Sequence, residues 1–282
     1  MLRSLALLVL LALPAGAETI RLADRSYRID LPARPQDAPL ILALHGGGGS
    51  ADQFARSSGL SRPANRLGYA VIYPQGTGRV ATWNGGYCCG VAQRRGVDDI
   101  AFLDAIIRDA TARYGLDPAR VYLTGMSNGA IMAETYAVTR PAQVRAVAGV
   151  AGTMDTARLR PAVPIPLLHI HGTHDSMVPY PGGRGDHSLT RTDFASVPSV
   201  EAAFLRPHPP LILSERIIDP AADGTRVMER NHRDSAGRVQ VRLLTVEGGG
   251  HAWPGSRRAV RQGGTLDIDA THEVLRFFAE HP

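Results

Sequence analysis

The sequence predicts an α/β fold, with a mostly parallel central sheet and helices on both of its faces. Three observations predict it. Leu40–Leu44 and Ala70–Tyr73 are short, continuously apolar runs, the pattern of strands buried on both faces of a parallel sheet. A helical pattern opens at Asp98-Asp99, with Ile100, Leu103, Ile106 and Ile107 on one side, and another spans Asn128–Thr139. The two kinds of segment alternate along the chain, as strands joined by crossover helices must.

Taken in order, Ile20–Leu22 and Tyr27–Leu31 read as strands around an Ala23–Ser26 turn. Leu40–Leu44 ends in His45 and four glycines, and Ala70–Tyr73 ends in Pro74. A long loop, Gln75–Val97, precedes the Asp98 helix, which closes near Tyr114-Gly115. Asp98 and Asp99 suit a helix N-cap better than a contact with the preceding loop. Val121–Leu123, Ala146–Val150, Leu167–Ile170 and Val239–Val246 are the remaining strands, and Ile268–Ala279 is the closing helix. Residues 205–238 are poorly patterned, apart from Val227–Asn231, a hairpin partner for Val239–Leu244 across Asp234–Gly237.

Residues 1–17 read as a secretory signal peptide: Arg3, an apolar run Leu5–Leu13, Pro14, then Ala15-Gly16-Ala17. The run is about half the ~20 residues of a membrane-spanning helix, and no later run could cross a membrane. Residues 18–282 are then expected to form a single catalytic domain, with no repeat, linker or binding module and no membrane association after cleavage. The expected localisation is secreted or periplasmic. All 31 basic residues are arginine, and the formal charge is +5. The arginines are scattered without aromatic interleaving, so no nucleic-acid partner is expected. Cys88 and Cys89 are adjacent between glycines. Export favours a disulfide between them; two buried thiols or an intermolecular bridge are the alternatives.

Gly125-Met126-Ser127-Asn128-Gly129 is a G-x-S-x-G pentapeptide between a strand and a helix. Such a turn holds the serine strained with its hydroxyl exposed, and its glycines avoid collision with neighbouring backbone. A serine hydroxyl needs a base to remove its proton and an acid to orient that base. Asp175 lies just past the strand Leu167–Ile170, where an acid belongs, and Asp186 and Asp193 are weaker candidates. His251 follows Gly248-Gly249-Gly250 just past the last strand and is the candidate base, whereas His272 and His281 fall in or after the last helix. Two N–H donors must meet an oxyanion. Asn128 supplies one, and Gly47 the other, with Gly46 and Gly48 as alternatives. His169, His171, His174 and His187 could join Asp175 around a metal, but alternate positions on a buried strand suit the core better, and no metal or cofactor is expected. Trp83 and Trp253 lie beside these elements, either as an aromatic wall for substrate or as plain packing.

With Leu44–Gly49, Trp83-Asn84, Cys88-Cys89-Gly90, Val97-Asp98-Asp99, the serine turn, His171–Asp175 and Gly250–Trp253 in hand, the chain resembles one group of α/β-hydrolase esterases. That group includes feruloyl esterases of carbohydrate esterase family 1 and polyhydroxybutyrate depolymerase-like proteins. The likeness runs from about Leu40 to Gly255, and is less clear over residues 190–238. It implies an α/β-hydrolase fold and carboxylic-ester hydrolysis through an acyl-enzyme, with no cofactor. It places the triad on Ser127, Asp175 and His251 and an oxyanion donor on the His45–Gly49 loop. The implied partner is an ester substrate: a feruloyl- or acetyl-bearing polysaccharide or, alternatively, a hydroxyalkanoate oligomer. Acyl transfer and a non-catalytic carbohydrate-binding relic are competing readings, the latter disfavoured by the intact constellation.

Overall fold

The structure is a computed structural model and describes residues 17–188, 190–255, 257–261 and 263–282. Residues 1–16 of the expected signal segment lie outside it. Ten strands form one mixed sheet in the order β1-β2-β4-β3-β5-β6-β7-β10-β9-β8. They are β1 (Ala17–Leu22), β2 (Arg25–Asp30), β3 (Leu40–Leu44), β4 (Ala70–Pro74), β5 (Val121–Met126), β6 (Ala146–Val150), β7 (Leu167–Gly172), β8 (Ile212–Ile218), β9 (Arg226–Arg233) and β10 (Val239–Glu247). The six strands from β4 through β10 in that order run parallel. Antiparallel strands flank them: the β1–β2 hairpin on one side, β9 and β8 on the other.

The helices are α1 (Ala51–Ser58), α2 (Ser61–Arg66), α3 (Gly90–Arg94), α4 (Asp99–Tyr114), α5 (Asn128–Thr139), α6 (Val197–Leu205), α7 (Arg257–Val260) and α8 (Ala270–Ala279). Side chains alternate along β3 and feed two separate cores. Leu40, Leu42 and Leu44 join Leu103, Ile106, Met132 and Tyr136 on the face covered by α4 and α5. Ile41 and Ala43 join Phe54, Phe277 and Phe278 on the face covered by α1 and α8. Every residue of β3, β4 and β6 is buried, as continuous apolar runs require. Asp98 caps α4, its side chain accepting from the Ala101 N–H, and Gly115 ends the helix in the left-handed conformation.

Six of these elements exceed the sequence reading, the short α7 among them. Helices α1 and α2 fill the stretch after the glycines, and α3 interrupts the long loop. Helix α6 starts behind the Ser196 cap with Pro198 in its first turn. Strand β8 is almost wholly exposed, so no apolar alternation announces it. The β9–β10 hairpin forms as expected, with Glu229 opposite Leu244 and the turn closed by Asp234. Among the described residues no helix is long and apolar enough to cross a membrane.

Candidate active site

Strand β5 runs three residues further than its apolar pattern and delivers Ser127 directly into α5. Ser127 has φ 56° and ψ −125°, and its N–H is held by the Val150 carbonyl at 2.8 Å. A left-handed serine is a strained conformation that surrounding packing must hold. The packing is visible. A Cβ on Gly125 would overlap the Gly129 backbone, and one on Gly129 would overlap the carbonyls of Leu44 and His45. The turn therefore presses onto β3 with no room for a side chain.

That closeness brings the His45–Gly49 loop beside Ser127. His45 is buried; its Nε2 accepts from the Gly76 N–H at 3.0 Å, so Nδ1 carries the proton and donates to the Gly46 carbonyl at 2.8 Å. Burial pushes its pKa down, which keeps the ring neutral. The N–H of Gly48 donates to Ala81 and that of Gly49 to Gly46. Both are thus occupied, which favours Gly47 over Gly48 as an oxyanion donor. Gly47, Ser127 and Asn128 line one cavity of about 510 Å³. The Asn128 side chain is locked across the Trp83 backbone, accepting from its N–H at 2.7 Å and donating to its carbonyl at 3.0 Å.

Asp175 stands after β7 and His251 after β10, at the same carboxyl edge of the sheet as Ser127. His251 Nδ1 donates to Asp175 Oδ2 at 2.7 Å. The other carboxylate oxygen accepts from the N–H groups of Met177 and Val178, each at 2.8 Å. Burial alone would raise the Asp175 pKa. Hydrogen bonds from His171 and His251 outweigh it and hold the carboxyl well below the usual range, so it is ionised at neutral pH. With its Nδ1 proton committed, His251 Nε2 is left as an acceptor.

Behind Asp175 runs a buried polar chain. His171 Nε2 lies 2.8 Å from the Val178 carbonyl and 3.3 Å from Asp175 Oδ2. His171 Nδ1 is 3.2 Å from His169 Nε2, and His169 Nδ1 is 2.8 Å from Glu134 Oε1. Glu134 is fully buried in α5, and its second oxygen accepts from the Met154 N–H at 3.0 Å. Of the histidines that suggested a metal, His169 and His171 are bonded to each other, and His169 to this glutamate. Among the described residues no group of three or more His, Cys, Asp or Glu side chains could hold an ion. His187 bonds Ser176 instead.

Trp83 has no exposed surface; its ring packs 5.0 Å from His45 and its Nε1 donates to the His45 carbonyl. A ring with no free face offers nothing to a ligand, so Trp83 is packing and not an aromatic wall. Trp253 meets Phe54 edge-on and donates to Thr271 Oγ1 at 3.1 Å; it does not line the cavity beside Ser127. The Cys88 and Cys89 sulfurs meet across a cis peptide, with Cys89 at the cavity wall. Asp186 and Asp193 are exposed, and it is Asp175 that pairs with His251. The sequence reading missed Glu134, Arg25 and the arginines of the cavity. The signal for Glu134 was a single acidic residue inside an otherwise apolar helix. Arg25 pairs with buried Asp99 at 2.6 Å, and Asp99 also accepts from the Asn84 N–H, which pins the Gln75–Val97 loop.

A family model described as Esterase PHB depolymerase matches residues 25–178. A Nocardia uniformis subsp. tsuyamanensis protein named as a candidate esterase, NocK, is 31% identical over 256 residues, covering 82% of this chain and 71% of that one. Feruloyl esterase B of Piromyces equi is 34% identical over 154 residues, covering 52% of this chain and 28% of that protein. The chain therefore spans most of one relative and little more than a quarter of the other. In fold it is similar to an acetyl xylan esterase from Aspergillus awamori, with a TM-score of 0.62, 14% identity, and coverage of 94% and 99% of the two chains. The chain belongs to the Esterase PHB depolymerase family, and it is a carboxylic ester hydrolase of the α/β-hydrolase fold.

Proposed function

We propose that this protein is an exported serine esterase that cleaves carboxylic esters through an acyl-enzyme on Ser127. The observation that carries the reading is the 2.7 Å bond from His251 Nδ1 to Asp175, which leaves Nε2 as a base at the sheet edge that bears Ser127. Ser127 Oγ attacks the ester carbonyl and its proton passes to His251 Nε2. The backbone N–H groups of Gly47 and Asn128 hold the resulting oxyanion, at the start of α5 where the helix dipole favours negative charge. Collapse expels the alcohol, which takes the proton from His251. Water then enters by the same route and releases the acid. No cofactor takes part in this scheme.

Feruloyl- or acetyl-type esters of polysaccharides are the leading substrates, on the likeness to a feruloyl esterase. A short-chain hydroxyalkanoate depolymerase is the second reading, favoured by the family description and by apolar residues on the cavity wall. A panel of methyl ferulate, acetylated xylan and hydroxybutyrate oligomers separates the two. In Ser127→Ala and in His251→Ala, kcat is expected to fall at least a thousandfold, with the double variant little worse, because the two act as a unit. A fluorophosphonate is expected to label Ser127 and stop turnover. Full activity in Ser127→Ala overturns the mechanism.

A further inference from the structure

The cavity beside Ser127 carries a charge that the ester reading does not use. Arg79 stands on a tight turn between Thr77 and Thr82, which pair as an isolated bridge. Arg94 ends α3 and Arg95 follows it. All three arginines line the cavity, and all three are exposed. No aspartate or glutamate lines it among the described residues. No ion pair or hydrogen bond engages any of the three guanidinium groups among those residues, whereas a dozen other arginines of the chain have carboxylate partners.

The arginine-bearing segments are held together by the fold. Gly78 has φ 97°, and a Cβ there would overlap the Val91 side chain, so the Arg79 turn lies directly on α3. Thr82 Oγ1 accepts from the Ala92 N–H at 3.1 Å, and the Cys89 N–H donates to the Trp83 carbonyl at 3.0 Å. The nearest acid in sequence, Asp98, is committed to the α4 cap, and Asp99 to Arg25. Three like charges facing one cavity give it a positive potential that favours an anionic ligand. Guanidinium groups match carboxylate oxygens in paired geometry. Val91, Ile131 and Phe194 add apolar surface to the wall of the same cavity.

We propose that this cavity selects esters that also carry a free carboxylate, which Arg79, Arg94 and Arg95 hold while the scissile carbonyl lies at Ser127. The proposal rests on the serine esterase reading for the place of the scissile bond. The carboxylate can belong to the acyl side, as in a half-ester of a dicarboxylic acid, or to the alcohol side, as in a hydroxy-acid oligomer with a free acid end. A neutral aryl or acetyl ester leaves the arginines unpaired.

Two matched substrate pairs test it. On the acyl side, mono-4-nitrophenyl glutarate is compared with 4-nitrophenyl 5-methylhexanoate, its branched neutral counterpart. On the alcohol side, the free acid of a hydroxybutyrate dimer is compared with its methyl ester. Exposed pairs are individually weak, so the expected preference in kcat/KM for the anion is about tenfold at low salt, in at least one pair. It should shrink toward parity at about 0.5 M NaCl. The ratio of anionic to neutral kcat/KM should collapse in R79Q/R94Q/R95Q. The same preference should appear in calorimetric binding of the glutaryl and 5-methylhexanoyl 4-nitroanilides, used as slowly reacting amide probes. A preference for the glutaryl anilide without turnover of any ester supports the arginine site and sinks the serine esterase reading. Turnover of both neutral esters with less than about twofold preference in either pair, or a preference unchanged in the triple variant, overturns the arginine site alone.

Discussion

At the scale of single residues, hydrogen-bond directions fix where protons sit. His171 donates from Nε2 to the Val178 carbonyl, and burial pushes its pKa down, so it is neutral and its Nδ1 is an acceptor. His169 must then donate from Nε2. Its Nδ1 faces Glu134 Oε1 at 2.8 Å, and two acceptors cannot meet at that distance. One proton is therefore shared between Glu134 and His169, and the pair is neutral overall. Glutamine reproduces the protonated acid: its amide N–H can face His169 while its oxygen accepts from Met154. Glu134→Gln should cost under about 1.5 kcal/mol in urea unfolding. Glu134→Ala strands the Met154 N–H and opens a cavity, and should cost about 2–4 kcal/mol. Equal losses in the two variants would refute the shared proton. The Asp175–His251 pair was legible in the sequence because strand ends mark where functional groups gather. The Glu134 link was not legible, because nothing in one sequence tells which histidine a buried acid will face.

At the scale of elements, the parallel strands were readable and the accessory pieces were not, for one reason. Strands buried on both faces must be apolar throughout, so β3, β4 and β6 announce themselves. Helices α2 and α3 are only six and five residues long, too short for a helical period to register. The turn at Ser127 was readable because it needs two glycines at fixed positions. Its packing against β3 yields a test that separates fold from site. Gly129→Ala drives a methyl group into the Leu44 carbonyl, a backbone atom of a buried strand that cannot yield. It should cost about 3 kcal/mol or more, read as lost stability in urea or as lost soluble protein. At Gly47 a Cβ meets nothing closer than 3.8 Å, so Gly47→Ala should unfold close to the wild-type midpoint. Matching stability of both variants would contradict the close approach of α5 to β3.

At the scale of the whole molecule, the α/β layering follows from the alternation of runs and helices, while the sheet edges depend on partners that a sequence does not name. Strand β8 is recognisable only once β9 lies beside it. The opposite edge bears on export. Ile20, Tyr27 and Ile29 bury the β1–β2 hairpin against the core, and Tyr114 donates to Glu18 at 2.6 Å. Among the described residues, cleavage after Ala17 removes the Ala17–Asp30 step of that ladder and keeps every pair from Glu18–Ile29 onward. The Glu18 to Leu22 pairs that remain include buried Ile20, so the hairpin keeps its contact with the core after the expected cut. Cysteines of an exported protein meet oxidising conditions, and Cys88 and Cys89 are buried neighbours. Material recovered from the periplasm or medium should therefore begin at Glu18. Its unreduced mass should lie about 2 Da below that of the dithiol form. Intact-mass spectrometry before and after reduction reads both features. A mass that retains residues 1–17 rules out the cleavage, and a mass unchanged by reduction rules out the Cys88–Cys89 bond.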